Sequence, residues 1–185
     1  MQTQSRTPVL FFYDGDERIS LKPLNEWCAL HKERGLAVLG PSRWQELAGD
    51  SVDVSDAVQL FDSFRFSPEE RIDLDSKAAT FPVFADGRGL AIMLPEVIVS
   101  FRKQRKEQVL SSMRRLSLPA TKVLLADEQN IVLSVDSHRS IDALTIANAI
   151  SERISKIVAV PNFLRLSRGR VDSHTRLSED GEQIP

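Results

Sequence analysis

Val9-Leu10-Phe11-Phe12-Tyr13, Asp14-Gly15-Asp16-Glu17, Arg18-Ile19-Ser20-Leu21: an apolar run meets a turn opened by aspartate and returns as a second run. Asp-Gly between two such runs signals a tight β-hairpin, because these turns need a positive φ that glycine adopts without steric cost. The same order occurs twice more. Phe81-Pro82-Val83-Phe84-Ala85 passes through Asp86-Gly87-Arg88-Gly89 into Leu90 to Leu94. Lys122-Val123-Leu124-Leu125-Ala126 passes through Asp127-Glu128-Gln129-Asn130 into Ile131 to Val135. At the same spacing after each leading Asp stands a candidate helix start: Pro23, Pro95 or Asp136. Proline suits the first helical turn, whose amides lack intrahelical partners. The leading aspartates lie 72 and 41 residues apart, and such unequal offsets argue against a solenoid of stacked repeats.

The expected fold is therefore α+β: antiparallel β-hairpins each followed by a helix, with the helices packed on one face of the sheet. One alternative is two small α/β subdomains dividing near Asp75 to Ala79. A doubly wound parallel sheet is another, but hairpin turns argue against it. The corresponding domain division is 1–76 for a first hairpin–helix subdomain with an acidic segment, 77–163 for a second with two hairpin–helix units, and 164–185 for a polar tail, expected to be disordered or draped from Asp172 to Pro185.

Periodicity refines the elements. Leu24, Trp27, Cys28 and His31 share one face of a helix expected from Pro23 to Arg34, which Gly35 would stop. Leu36 to Gly40 fits a short strand and Pro41 to Ala48 a helical turn. Val54 to Phe66 matches both periods, and Ser55 as a cap tips it to helix. Ser67-Pro68-Glu69-Glu70 is a capping box opening a short helix. Ile98, Phe101, Val109, Met113 and Leu116 form a stripe on a long helix expected from Pro95 to Leu116 and ended by Pro119. A last helix, Ser140 to Lys156, carries Ala143, Ala147, Ile150 and Ile154 at helical spacing and runs into a strand from Ile157 to Val160.

An apolar fraction of 42% with 27% charged residues is ordinary for a folding chain and unlike a disordered one. A net charge of −2 gives no global attraction to nucleic acid or to an anionic membrane. Met1 to Thr7 lacks the pattern of a signal peptide, and the apolar runs are of strand length, so neither export nor a membrane span is expected. The single Cys28 cannot form an internal disulfide and fits a reducing, cytoplasmic setting.

Charge is uneven along the chain. Lys77 to Ala120 holds eight basic against three acidic residues, whereas Met1 to Ser76 holds eight against fourteen. Arg102, Lys103, Arg105, Lys106, Arg114 and Arg115 would form a ridge along the long helix, suited to phosphates or to an acidic partner, including another copy's acidic first half. The plainer account is a solvated helix face.

Catalytic signals are sparse. Cys28 and His31 would stand one helical turn apart as a nucleophile and base, yet both fall on the apolar stripe, where packing is the simpler role. His138 beside Asp136 and Ser137 has the residue types of a triad without its geometry, and helix capping explains it better. Asp14, Asp16, Glu17, Asp73 and Asp75 are possible cation ligands, but the first three suit a hairpin turn and no long ligand loop is present. Asp86-Gly87-Arg88-Gly89 lacks the remainder of a phosphate loop, and His174 lies in the tail. No cofactor or metal is expected.

The expected function is a non-enzymatic interaction or adaptor protein that docks onto a larger assembly through hairpin edges or the basic helix, a homo-oligomer being compatible with this. Nucleic-acid binding by the basic helix is the second reading. An enzyme whose site is assembled from residues distant in sequence is the third.

Overall fold

The computed structural model describes residues 10–116, 118, 121–135 and 141–166. The first Asp-led turn reverses the chain between β1 (Leu10–Asp14) and β2 (Glu17–Pro23), with Asp14 opposite Glu17 and Gly15 at φ 68°. The next segment departs from its helical pattern. Trp27–His31 is a strand, β3, and α1 (Lys32–Leu39) starts only at Lys32, taking in the stretch expected to be a strand. After α2 (Pro41–Ala48) and β4 (Val52–Asp53), β5 (Val58–Asp62) replaces the helix expected from Ser55. Ser55 does serve as a cap, but of a turn: its Oγ accepts the Val58 N–H at 3.1 Å. A 3-10 turn (Ser63–Arg65) leads to α3 (Pro68–Ser76), whose capping box is as expected. The Glu70 N–H donates to Ser67 Oγ at 3.2 Å and the Ser67 N–H to Glu70 Oε2 at 2.8 Å.

The second half begins with β6 (Thr80–Phe81) and β7 (Val83–Ala85), and the second Asp-led turn places Ala85 opposite Leu90 of β8 (Leu90–Phe101). Pro95 therefore lies inside a twelve-residue strand, not at a helix start. It sits between the β8 segment facing β7 and the segment that begins at Glu96, in a gap where its missing N–H costs no ladder bond. The helix expected from Pro95 shrinks to α4 (Lys106–Arg114). The third turn joins β9 (Thr121–Ala126) to β10 (Asn130–Val135), Asp127 Oδ1 accepting the N–H groups of Gln129 and Asn130 at 2.7 and 2.6 Å. Then come α5 (Ile141–Arg153) and β11 (Ile157–Leu166). Pro119, Asp136 to Ser140 including His138, the N-terminal Met1 to Thr7, and the tail with His174 lie outside the described residues.

These strands form antiparallel sheets, and the fold is α+β. The larger sheet runs β1-β2-β7-β8-β10-β9, with β11 along the other side of β8; the smaller runs β4-β5-β3-β6. A helix follows each hairpin, but the first two begin at Lys32 and Lys106 rather than at the prolines. The first hairpin joins the larger sheet through Lys22 and Pro23 of β2, while α1, α2 and α3 accompany the smaller one.

Alternation sorts the apolar side chains into layers. On β3 and β5, Ala29, Val58 and Leu60 face the larger sheet and meet Val83, Ile92 and Leu166, whereas Leu30 and Phe61 face the helices and meet Leu47, Leu74 and Trp44. Beyond the larger sheet, Val97, Val99, Phe101, Ile131 and Leu133 pack against Val109 and Met113 of α4 and Ile146, Ala147 and Ile150 of α5. Phe12, Leu21, Phe84, Met93 and Leu144 fill the space under the first hairpin. Ion pairs tie the surface: Arg43 Nε donates to Glu70 Oε1 at 2.8 Å, Arg88 reaches Asp14 at 3.0 Å between two hairpin tips, and Arg165 pairs with Asp86.

Candidate interaction edge

The six basic residues do not share a helical ridge. Arg102 and Lys103 lie in the bend after β8, Arg105 caps α4, Lys106 opens it, Arg114 closes it and Arg115 follows. At 1.5 Å per residue, about 14 Å of helix separates the Arg105–Lys106 pair from Arg114 and Arg115. Arg114 and Arg115 sit where a helix C-terminus favours cations, which accounts for them without a ligand.

Arg102 and Lys103 line a cleft of about 960 Å³ together with Tyr13, Asp14, Asp16, Glu152 and Lys156. Gln104 anchors the bend by donating to the Ser155 carbonyl at 2.9 Å. The Tyr13 hydroxyl donates to Glu152 Oε1 at 3.1 Å, and partial desolvation with this carboxylate raises the Tyr13 pKa. Three cations in this cleft face three carboxylates, so it lacks the net positive field of a phosphate groove.

Cys28 and His31 are divided by the strand itself. Positions three apart on a strand point to opposite faces. Cys28 joins the layer under the helices, while the His31 ring lies 6.4 Å from Phe81 on the other side. Burial pushes the Cys28 thiol up to about 12, the nearby Asp75 adding to the rise. At pH 8 its alkylation in the native chain is expected to be at least about a hundredfold slower than in the urea-unfolded chain, because the thiolate is the nucleophile. Stopped-flow labelling would show it; equal rates would contradict the burial of this thiol.

A second cleft of about 990 Å³ is lined by Trp27, Cys28, Arg71, Asp75 and Thr80, and three of these side chains are engaged within the fold. Arg71 donates to the Ser63 carbonyl at 2.7 Å, and Thr80 donates to Asp75 at 2.5 Å. Among the described residues, no group of three or more His, Cys, Asp or Glu converges as a metal site. Nor is any described helix long and apolar enough to cross a membrane.

The surface feature that stands out is β9. Among the described residues it ends the larger sheet, paired with β10 on one side, so about half of its backbone groups point away from the sheet. Val123, Leu124 and Leu125 on this edge are 44%, 51% and 58% exposed. Leu125 lies opposite Val132 and Val123 opposite Leu133, with a bulge accommodating Leu124 between them. Open edges are normally short or charged; here an unpaired ladder coincides with three consecutive apolar side chains. Phe64 and Ile72 are also exposed, but they stand on a turn and a helix, whose backbones offer no open ladder.

The run Lys122 to Ala126 was visible as one arm of a hairpin, but an unbroken apolar run usually marks a buried strand. Its outer position is a property of sheet order. No protein-family model matches the chain, and no match was found among the curated proteins or the solved structures.

Proposed function

We propose that this chain is a non-enzymatic, cytoplasmic interaction or adaptor protein that docks onto a larger assembly through the free edge of β9. The observation that carries the reading is the coincidence of open backbone and exposed Val123, Leu124 and Leu125 on one strand. An extended partner segment laid along this edge gains main-chain hydrogen bonds and covers the three side chains, which is recognition by β-strand addition. Covering their exposed halves contributes about 3 kcal/mol, enough to support a transient contact once ladder bonds are added. The scattered cations and the balanced cleft give less support to nucleic-acid binding, which stands second.

The test compares the natural chain with a Leu124→Lys, Leu125→Lys variant. Both positions are solvent-facing, so thermal stability is expected to change by no more than about 0.5 kcal/mol, while recovery of bound protein in affinity purification drops. Charge reversal at Arg102 and Lys103 should leave that recovery intact. If the edge variant retains the full set of bound proteins while the reversal loses them, the docking site is the basic bend and the reading is wrong.

A further inference from the structure

Resting on the reading of β9 as a docking edge, we propose that its partner is β9 of a second copy of this chain, the two strands pairing antiparallel about a two-fold axis so that both larger sheets join into one. The edge carries its own charge complement. Lys122 stands within β9 at one end of the apolar run, and Asp127 opens the turn just past its other end, both exposed. In an antiparallel pair with the axis between Leu124 and Leu125, Lys122 faces the second copy's Asp127. The bulge at Leu124 shifts the alternation so that Lys122 and position 127 share a face in this register. It brings unlike charges together at both ends and apolar side chains at the centre. A parallel pair would instead set Lys122 beside Lys122, and like charges directly opposite one another destabilise a strand pair. Self-complementarity about a two-fold is what a closed dimer requires.

The sequences of residues 1–9 and 167–185 contain no run of three consecutive apolar residues like Val123-Leu124-Leu125. The bulge at Leu124 limits regular pairing to short stretches on either side, and side-chain contact must supply much of the affinity. The dimer is therefore concentration-dependent, and charge at the ends of the strand selects its register.

Sedimentation velocity of the full chain over a range of concentrations tests this. The expected result is a shift from the 20.8 kDa monomer toward twice that mass as concentration rises. Lys122→Glu should weaken association about tenfold, since it places like charges at both ends of the pair. Adding Asp127→Lys to Lys122→Glu should restore association, because the swapped charges again oppose each other across the pair. Leu124→Lys with Leu125→Lys should abolish it, with the thermal melt of each variant confirming folding. A monomer at every concentration overturns self-pairing, as does a dimer indifferent to the edge substitutions or a charge swap without rescue. Docking on this edge would then stand or fall separately, on whether the Leu124 and Leu125 variant loses a heterologous protein that the natural chain retains.

Discussion

Replacing Phe61 with alanine is expected to destabilise the protein by about 4 kcal/mol, measured as the loss in unfolding free energy by urea titration. The ring is 1% exposed and sits between two others, its centroid 5.3 Å from Trp44 and 5.7 Å from Phe66, both edge-on. Truncation removes the transfer free energy of the largest fully buried side chain in the layer beneath α1, α2 and α3, and with it both ring contacts. Collapse cannot close the space easily. β5 is held by β3 and β4 on its two edges, and Leu60 beside it already fills the opposite layer. The control is Phe64→Ala, at a ring 81% exposed, where the change should stay within about 0.5 kcal/mol. A loss below about 1.5 kcal/mol at Phe61 would mean that this layer is loosely packed.

Gly89→Ala should cost about 3 kcal/mol, from two causes that act together. Gly89 has φ 145°, a region that a side chain rarely enters. A Cβ there would also stand 2.6 Å from the Leu166 carbonyl oxygen. That oxygen belongs to backbone paired in register with Leu90, so it cannot withdraw without parting β11 from β8. Gly15→Ala isolates the conformational part. It too has positive φ, 68°, but its Cβ would meet nothing within 4 Å, and about 1 kcal/mol is expected. Equal losses at the two glycines would show that contact with Leu166 contributes nothing.

The readings from sequence succeeded where the cause lies within a few residues. The Ser67 capping box needs only Ser67 and Glu70, and the Asp127 turn only Gln129 and Asn130. They failed where a segment's partners are remote. Trp27 to His31 fits a helical stripe, yet β3 gains ladders from β5 on one edge and β6 on the other. Pro95 resembles a helix start, yet β8 passes through it because β7, β10 and β11 supply bonds before and after it. Correcting that element also divided the basic residues: once Arg102 and Lys103 leave the helix, Arg114 and Arg115 no longer continue their line.

The amino-acid order by itself determined the three chain reversals, the capped start of α3, the apolar period of α5 and the mixed α+β class, because each depends on torsional preference, short-range hydrogen bonding or side-chain spacing within one segment. Tertiary structure alone decided which runs became strands, which faces were buried, and that β9 lies outermost with Val123, Leu124 and Leu125 exposed. A strand's ladder and its burial come from neighbours far along the chain, so sequence spacing cannot reveal which edge is left open.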